Sequence, residues 1–225
     1  MLRAIVFDFD GVIANSEPLH YRAFRDVLEG SGIAFPEKEY YDRYLGFDDV
    51  GVFKALASDR GLSWTSDRIA GLVRSKADTI ERLERNASIL FPGAEAAIRR
   101  AAARMPLAIA SGALGVEIRR VLDRERLTSY FTAIVAAEDT PVSKPAADPY
   151  RRALALLAEA VGFQFEPAEC IAIEDSPWGL QSAKTAGLHT VAVAHTYGRA
   201  ALDADMVISS LDDLDIGALE RLCAT

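Results

Sequence analysis

Six short apolar runs, at residues 3–8, 107–110, 132–136, 170–174, 189–194 and 206–209, punctuate this chain, and most gaps between them carry a helical period. The helical patterns lie at 94–104, 115–125, 149–160 and 177–186. Strands alternating with helices point to an α/β fold, a Rossmann-like parallel sheet wrapped by helices. Pro92-Gly93 precedes the first of these helices, and Asp148-Pro149 offers an N-cap followed by proline at the first helical position. The gap between the first two runs is different. It holds no convincing strand but three or four helical patterns, with apolar spacing through 19–28, 49–57 and 66–83, the last capped by Ser66-Asp67. We read residues 16–88 as an inserted helical cap domain and residues 1–15 with 89–225 as the α/β core, joined by linkers near 14–18 and 86–92.

In open α/β sheets ligands bind outside the carboxyl ends of the strands, so the residues just past each run matter most. Ala4-Ile5-Val6-Phe7 ends in Asp8-Phe9-Asp10-Gly11. Burying a carboxylate is costly unless its charge is compensated, and a hard divalent cation such as Mg2+ binds one or two carboxylates together with phosphate oxygens. Taken alone, the tetrapeptide fits equally well a polar loop with both aspartates in water. Other runs also end in chemistry: Ser111-Gly112 after the second, Ser143-Lys144-Pro145 on a loop after the third, Glu174-Asp175-Ser176 after the fourth. That convergence favours the metal.

Composition narrows the partners. Lys and Arg number 25 against 33 Asp and Glu, a net charge of -8, which argues against a nucleic-acid partner. It does not exclude a small anionic substrate, because one metal ion and one lysine reverse the local field of a pocket. No apolar stretch has the length of a membrane span, and the first run is too short for a secretory signal. The two cysteines, Cys170 and Cys223, are too few for a disulfide framework. A cytoplasmic protein is expected.

Asp8-Phe9-Asp10-Gly11-Val12, Ser111, Lys144-Pro145 and Glu174-Asp175, in that order, resemble the motifs of the haloacid dehalogenase superfamily of phosphotransferases. Residues 8–20 and 174–183 are similar to the branch that holds β-phosphoglucomutases and small sugar-phosphate or phosphoglycolate phosphatases. The resemblance spans the whole chain and implies a role for each motif. Asp8 would be the nucleophile, forming an aspartyl-phosphate, and Asp10 the general acid and then general base. Ser111 and the Gly112 amide would bind the phosphoryl group, and Lys144 would pair with it and with Asp8. Mg2+ would be held by Asp8, the Asp10 carbonyl, Asp175 and Glu174, the last directly or through a water. Asn15 and Ala147 depart from the family pattern without touching these roles, and Trp178 is as well explained by packing as by function.

Phosphatase and mutase share this core, so the cap decides between them. The resemblance places His20 near the leaving group, although a helical histidine at the surface is an equal reading. Mutases of this branch hold a second phosphate with a basic cap stretch. Here the corresponding stretch, Tyr44-Leu45-Gly46-Phe47-Asp48-Asp49-Val50, is acidic, and Asp48 and Asp49 would repel that phosphate. Arg43 is the one basic residue near enough in sequence to support a mutase. Dehalogenase chemistry does not fit, since that branch lacks the acid/base aspartate, and neither Lys38 nor Lys54 is marked as a Schiff-base lysine. The expected function is a Mg2+-dependent phosphatase acting on a small phosphorylated metabolite; a β-phosphoglucomutase-type enzyme and a non-catalytic phosphometabolite-binding protein are the alternatives.

Overall fold

The computed structural model describes residues 1–45, 47–84 and 88–224. Gly46 of the acidic cap stretch and residues 86 and 87 of the second linker lie outside them. The chain divides into two compact units, Met1–Asn15 with Ile89–Thr225, and Ser16–Ser88.

In the first unit the strands are β1 (Ala4–Phe7), β2 (Leu107–Ala110), β3 (Phe131–Val135), β4 (Cys170–Glu174), β5 (His189–Val193) and β6 (Met206–Ile208). They pair in parallel in the order β3-β2-β1-β4-β5-β6. Each expected run forms its strand, with ends displaced by no more than one residue. The order makes β1 the switch point, where the chain leaves for β2 on one side and later for β4 on the other. The carboxyl ends of β1, β2 and β4 therefore lie side by side, where this class of sheet binds its ligands.

Side chains alternate across a strand, and the two faces of this sheet differ in size. Ala4, Val6, Ala108, Ala110, Ala133, Val135, Cys170 and Ala172 share one buried cluster with Tyr150, Leu154 and Leu157 of α7 (Asp148–Val161) and Ala183 and Ala186 of α8 (Pro177–Ala186). Small strand residues let these helices approach closely. The intervening Ile5, Phe7, Ile109, Ile171 and Ile173 belong to the opposite face and are wholly buried. The same alternation carries past the strand ends: Asp8 falls in step with Ala4 and Val6, and Glu174 with Cys170 and Ala172. Both carboxylates thus leave the sheet on the α7 side. Two more helices of this unit, α5 (Ala94–Ala102) and α6 (Gly115–Arg124), agree with expectation within two residues, whereas the short α9 (Ile216–Leu222) was not foreseen.

The second unit is helical throughout: α1 (Glu17–Glu29), α2 (Glu37–Arg43), α3 (Asp49–Asp59) and α4 (Ser66–Glu84). Helix α2, Glu-Lys-Glu-Tyr-Tyr-Asp-Arg, buries only Tyr40 and so shows no apolar period to read. Aromatic rings fill the core, with Phe24 at its centre, 5.2 Å from Phe53 and 5.7 Å from Tyr40 between ring centroids. Two expected caps differ. Thr65, not Ser66-Asp67, caps α4, its hydroxyl accepting from the Arg68 amide at 3.2 Å. Asp148 lies inside the first turn of α7, and Ala147 occupies the cap position without a side-chain bond. Among the described residues no helix is long and apolar enough to cross a membrane.

The chain leaves and re-enters the first unit through neighbouring segments. Ala14 bridges Leu90 in antiparallel fashion, the Asn15 amide donates to the Ile89 carbonyl at 2.7 Å, and the Phe91 amide donates to the Ile13 carbonyl at 2.9 Å. Truncating Phe24 empties the centre of the cap core. Phe24→Ala should cost the cap about 3–5 kcal/mol, seen as lost amide-exchange protection in α1, α3 and α4 while β1 and β4 keep theirs.

Candidate active site

Asp8, Lys144, Glu174 and Asp175 meet at the switch point although up to 167 positions separate them in the chain. Lys144, on the loop before α7, places its Nζ 2.7 Å from Asp8 Oδ1 and 2.5 Å from Glu174 Oε1. Tyr150, on the first turn of α7, donates its hydroxyl to the same Glu174 oxygen at 2.9 Å, and its ring lies 5.1 Å from the Lys144 ammonium. The other oxygen, Oε2, accepts from the Asp175 amide (3.0 Å), the Ser176 amide (3.2 Å) and the Ser176 hydroxyl (3.1 Å). Ser176 Oγ in turn accepts from the Gly179 amide and caps α8. Glu174, fully buried, thus sits at a helix N-terminus with five donors around two oxygens, which fills the sites a carboxylate offers.

Close packing explains two glycines. Gly11 has φ +78°, and a Cβ there would fall 2.0 Å from Asp175 Oδ2; one on Gly179 would fall 2.0 Å from Glu174. Gly112 is exposed and a Cβ on it would meet open space, so no protein contact requires a glycine there. Ser111 is buried one residue beyond β2, its hydroxyl accepting from the Ala113 amide at 3.0 Å.

The electrostatics are unbalanced. Ligand oxygens of Asp8, Glu174 and Asp175 lie within 4.8 Å of one another. Three carboxylates share one ammonium in a buried place, so full ionisation would leave two negative charges uncompensated. Burial, aided by Glu174 and Asp175 and opposed by Lys144, holds the Asp8 carboxyl well above its usual range. Burial, then Glu174, pushes Asp175 up to about 7. Burial pulls Lys144 down, but Asp8 and Glu174 outweigh it and shift the ammonium up. Crowded hard oxygens that cannot all ionise beside a single ammonium fit a divalent cation of the Mg2+ type.

The two predicted cap residues lie in the other unit. Arg43 is exposed and paired with Asp59 at 2.8 Å. His20 belongs to a polar cluster that sequence reasoning missed, built on Lys76. Lys76 is 2% exposed, with its Nζ 2.5 Å from Asp49 Oδ1, 2.8 Å from His20 Nδ1 and 4.7 Å from the Phe24 ring centroid. Beside it Tyr40 donates its hydroxyl to Glu17. Position 76 falls on the buried stripe of α4 with Ile69, Leu72 and Ile80, and a lysine interrupting an apolar helical stripe was the readable signal. The acidic stretch also acts otherwise than expected. Asp48 caps α3 through the Gly51 amide at 2.6 Å, and Asp49 neutralises Lys76.

With this geometry in view, the chain can be placed. The profile of the haloacid dehalogenase-like hydrolases matches residues 5–193, and the protein belongs to that family. Protein CbbY of Rhodobacter capsulatus is 31% identical over 207 residues, covering 88% of each chain. Fructose-1-phosphate phosphatase YqaB of Escherichia coli is 26% identical over 189 residues, covering 84% of this chain and 95% of that protein. Among solved structures, CbbY from Rhodobacter sphaeroides in complex with xylulose-(1,5)bisphosphate superposes with a TM-score of 0.78 at 26% identity, over 95% of this chain and 96% of that one.

An ammonium has only donors, so His20 Nδ1 accepts from Lys76 and the ring proton sits on Nε2. Burial, then the Lys76 charge, pushes His20 down from 6.5 to about 3. We expect 15N spectra to show this imidazole neutral across pH 5–8, and Lys76→Met to raise its midpoint. Because the unfolded chain takes up this proton first, His20 should weaken the cap as pH falls from 6.5 toward 3.

Proposed function

We propose that the protein is a Mg2+-dependent phosphatase that hydrolyses a small phosphate monoester through an aspartyl-phosphate on Asp8. The observation that carries this reading is the ion pair of Asp8 with a buried Lys144, beside further carboxylates at the switch point of the sheet. Asp8, Asp175 and the Asp10 carbonyl would hold the cation. Glu174, whose oxygens are already occupied by protein donors, would stand behind them and fix Lys144. Bound there, the cation supplies the charge that draws electrons from phosphorus and keeps both aspartates ionised.

Asp8 is a weak nucleophile, so its orientation does much of the work. Lys144 holds one of its carboxylate oxygens, leaving the other for attack in line with the leaving oxygen. As the new bond to phosphorus forms, the bond to the leaving oxygen breaks, and Asp10 hands that oxygen a proton. Ser111 and the Gly112 amide donate to the phosphoryl oxygens, where charge accumulates. In the second half Asp10 takes a proton from a water that attacks phosphorus, Asp8 is released, and inorganic phosphate departs.

The cap argues for water rather than a second sugar phosphate as acceptor. A distal phosphate needs an unneutralised cation, and the buried Lys76 is paired with Asp49 while Arg43 is paired with Asp59. A monophosphate such as a ketose 1-phosphate, the type named for the Escherichia coli relative, needs no such cation. The bisphosphate seen in the related CbbY structure would leave one phosphate unmatched.

A panel of phosphorylated metabolites should show turnover of sugar monophosphates and p-nitrophenyl phosphate, slower turnover of xylulose 1,5-bisphosphate, and no dependence on glucose 1,6-bisphosphate. Turnover that required glucose 1,6-bisphosphate would identify a mutase instead. Chelation should abolish activity, with recovery on Mg2+ and not on Ca2+, whose longer and more numerous bonds relax in-line geometry. Asp8→Asn should lower kcat by about 10^4-fold or more; full activity in either case would refute the mechanism.

A further inference from the structure

The loop after β5 contributes to this site although its sequence, Ala194-His195-Thr196, belongs to none of the four motifs. Strand β5 is separated from β1 by β4, yet the His195 ring reaches the segment just past β1. Its Nδ1 lies 2.9 Å from the Gly11 carbonyl oxygen. A carbonyl only accepts, so Nδ1 carries the proton and donates. The flat of the ring stacks on Phe91, with centroids 3.9 Å apart and planes inclined by 15°. Phe91 is itself tied to the same segment through its amide to the Ile13 carbonyl. Gly11 O, His195, Phe91 and Ile13 O therefore form a closed circuit around residues 11–13.

The circuit acts on the residue next to Gly11, which is Asp10. The peptide joining Asp10 to Gly11 is held by the Gly11 amide, which donates to the Ala14 carbonyl at 2.9 Å. The next peptide is held by His195. Between the two, the Gly11 Cα faces the Asp175 carboxylate with no room to swing toward it.

We propose that His195 is a positioning residue for Asp10, holding the Gly11 carbonyl with Nδ1 and bracing its ring on Phe91 so that the Asp10 carboxyl meets the leaving oxygen. This rests on the reading of Asp10 as general acid. A carboxyl displaced by about 1 Å loses on the order of 10^2-fold in rate, and the loss falls on the proton transfer alone.

Leaving-group dependence tests this. For each enzyme kcat/KM, which reports phosphoryl transfer to Asp8, is measured on a sugar phosphate, whose alkoxide must be protonated as it leaves, and on p-nitrophenyl phosphate, whose phenolate leaves unaided. The ratio of the two values does not depend on the fraction of enzyme folded. His195→Phe keeps a ring on Phe91 and loses the donor; it should lower the sugar-phosphate value by about 10- to 100-fold and the p-nitrophenyl phosphate value far less. His195→Asn, whose amide nitrogen takes the place of Nδ1, should restore most of the ratio. Asp10→Ala is the reference and should show the same bias more strongly. If Asp10→Ala shows no bias, the general-acid reading fails and this inference with it. If Asp10→Ala is biased while His195→Phe affects both substrates equally, affects neither, or gains nothing from asparagine, this inference alone is overturned.

Discussion

The site depends on an imbalance of charge that the sheet imposes. Parallel pairing of β1 with β4 and the side-chain alternation along both strands bring Asp8 and Glu174 out on one face, and Asp175 follows directly. The carboxylates cannot relax apart, because the backbone that carries them is the centre of the core. Lys144 offsets part of the charge and is held in turn by Glu174, so each buried group is the other's compensation. Breaking such a pair typically costs about 3–5 kcal/mol, since it strands a charge where water does not reach. What the protein leaves uncompensated is the room that the proposed dication would take.

The cap solves the same problem in the opposite way. Its buried lysine meets Asp49 within the unit, and the neighbouring histidine is kept neutral. In the core unit one ammonium faces three carboxylates, whereas in the cap the buried ammonium has its own carboxylate partner. That difference is what the proposal of a singly phosphorylated substrate rests on.

How far the sequence reveals this depends on the range of the interaction. Apolar runs and their spacing report strands and helices reliably here because β1, β2 and β4 are buried on both sides, which demands unbroken hydrophobic stretches. Asp8, Ser111, Glu174 and Asp175 were visible because polar groups at the ends of such strands are conspicuous, whereas Lys144, on a loop well past β3, gained meaning only from its order among them. Tyr150 and His195 were not visible, since each looks ordinary in its own neighbourhood and acquires meaning only from a partner at least 24 positions away; Lys76 is marked locally only by breaking the apolar stripe of α4. Caps were misplaced at Thr65 and Asp148 because several polar residues in a row can serve, and backbone geometry chooses among them. Asp49 is plainly acidic, but nothing in its own neighbourhood hints at the cation opposite.

The antiparallel contact of Ala14 with Leu90 has a consequence for what the fold can carry between them. Seen from the sheet, everything from Ser16 to Ser88 is the tip of a hairpin whose stem is already zipped. The entropy of closing a loop grows only logarithmically with its length, so the stem is nearly indifferent to what it holds. Whatever its length, an insert at this stem leaves Asp8 in register with β4.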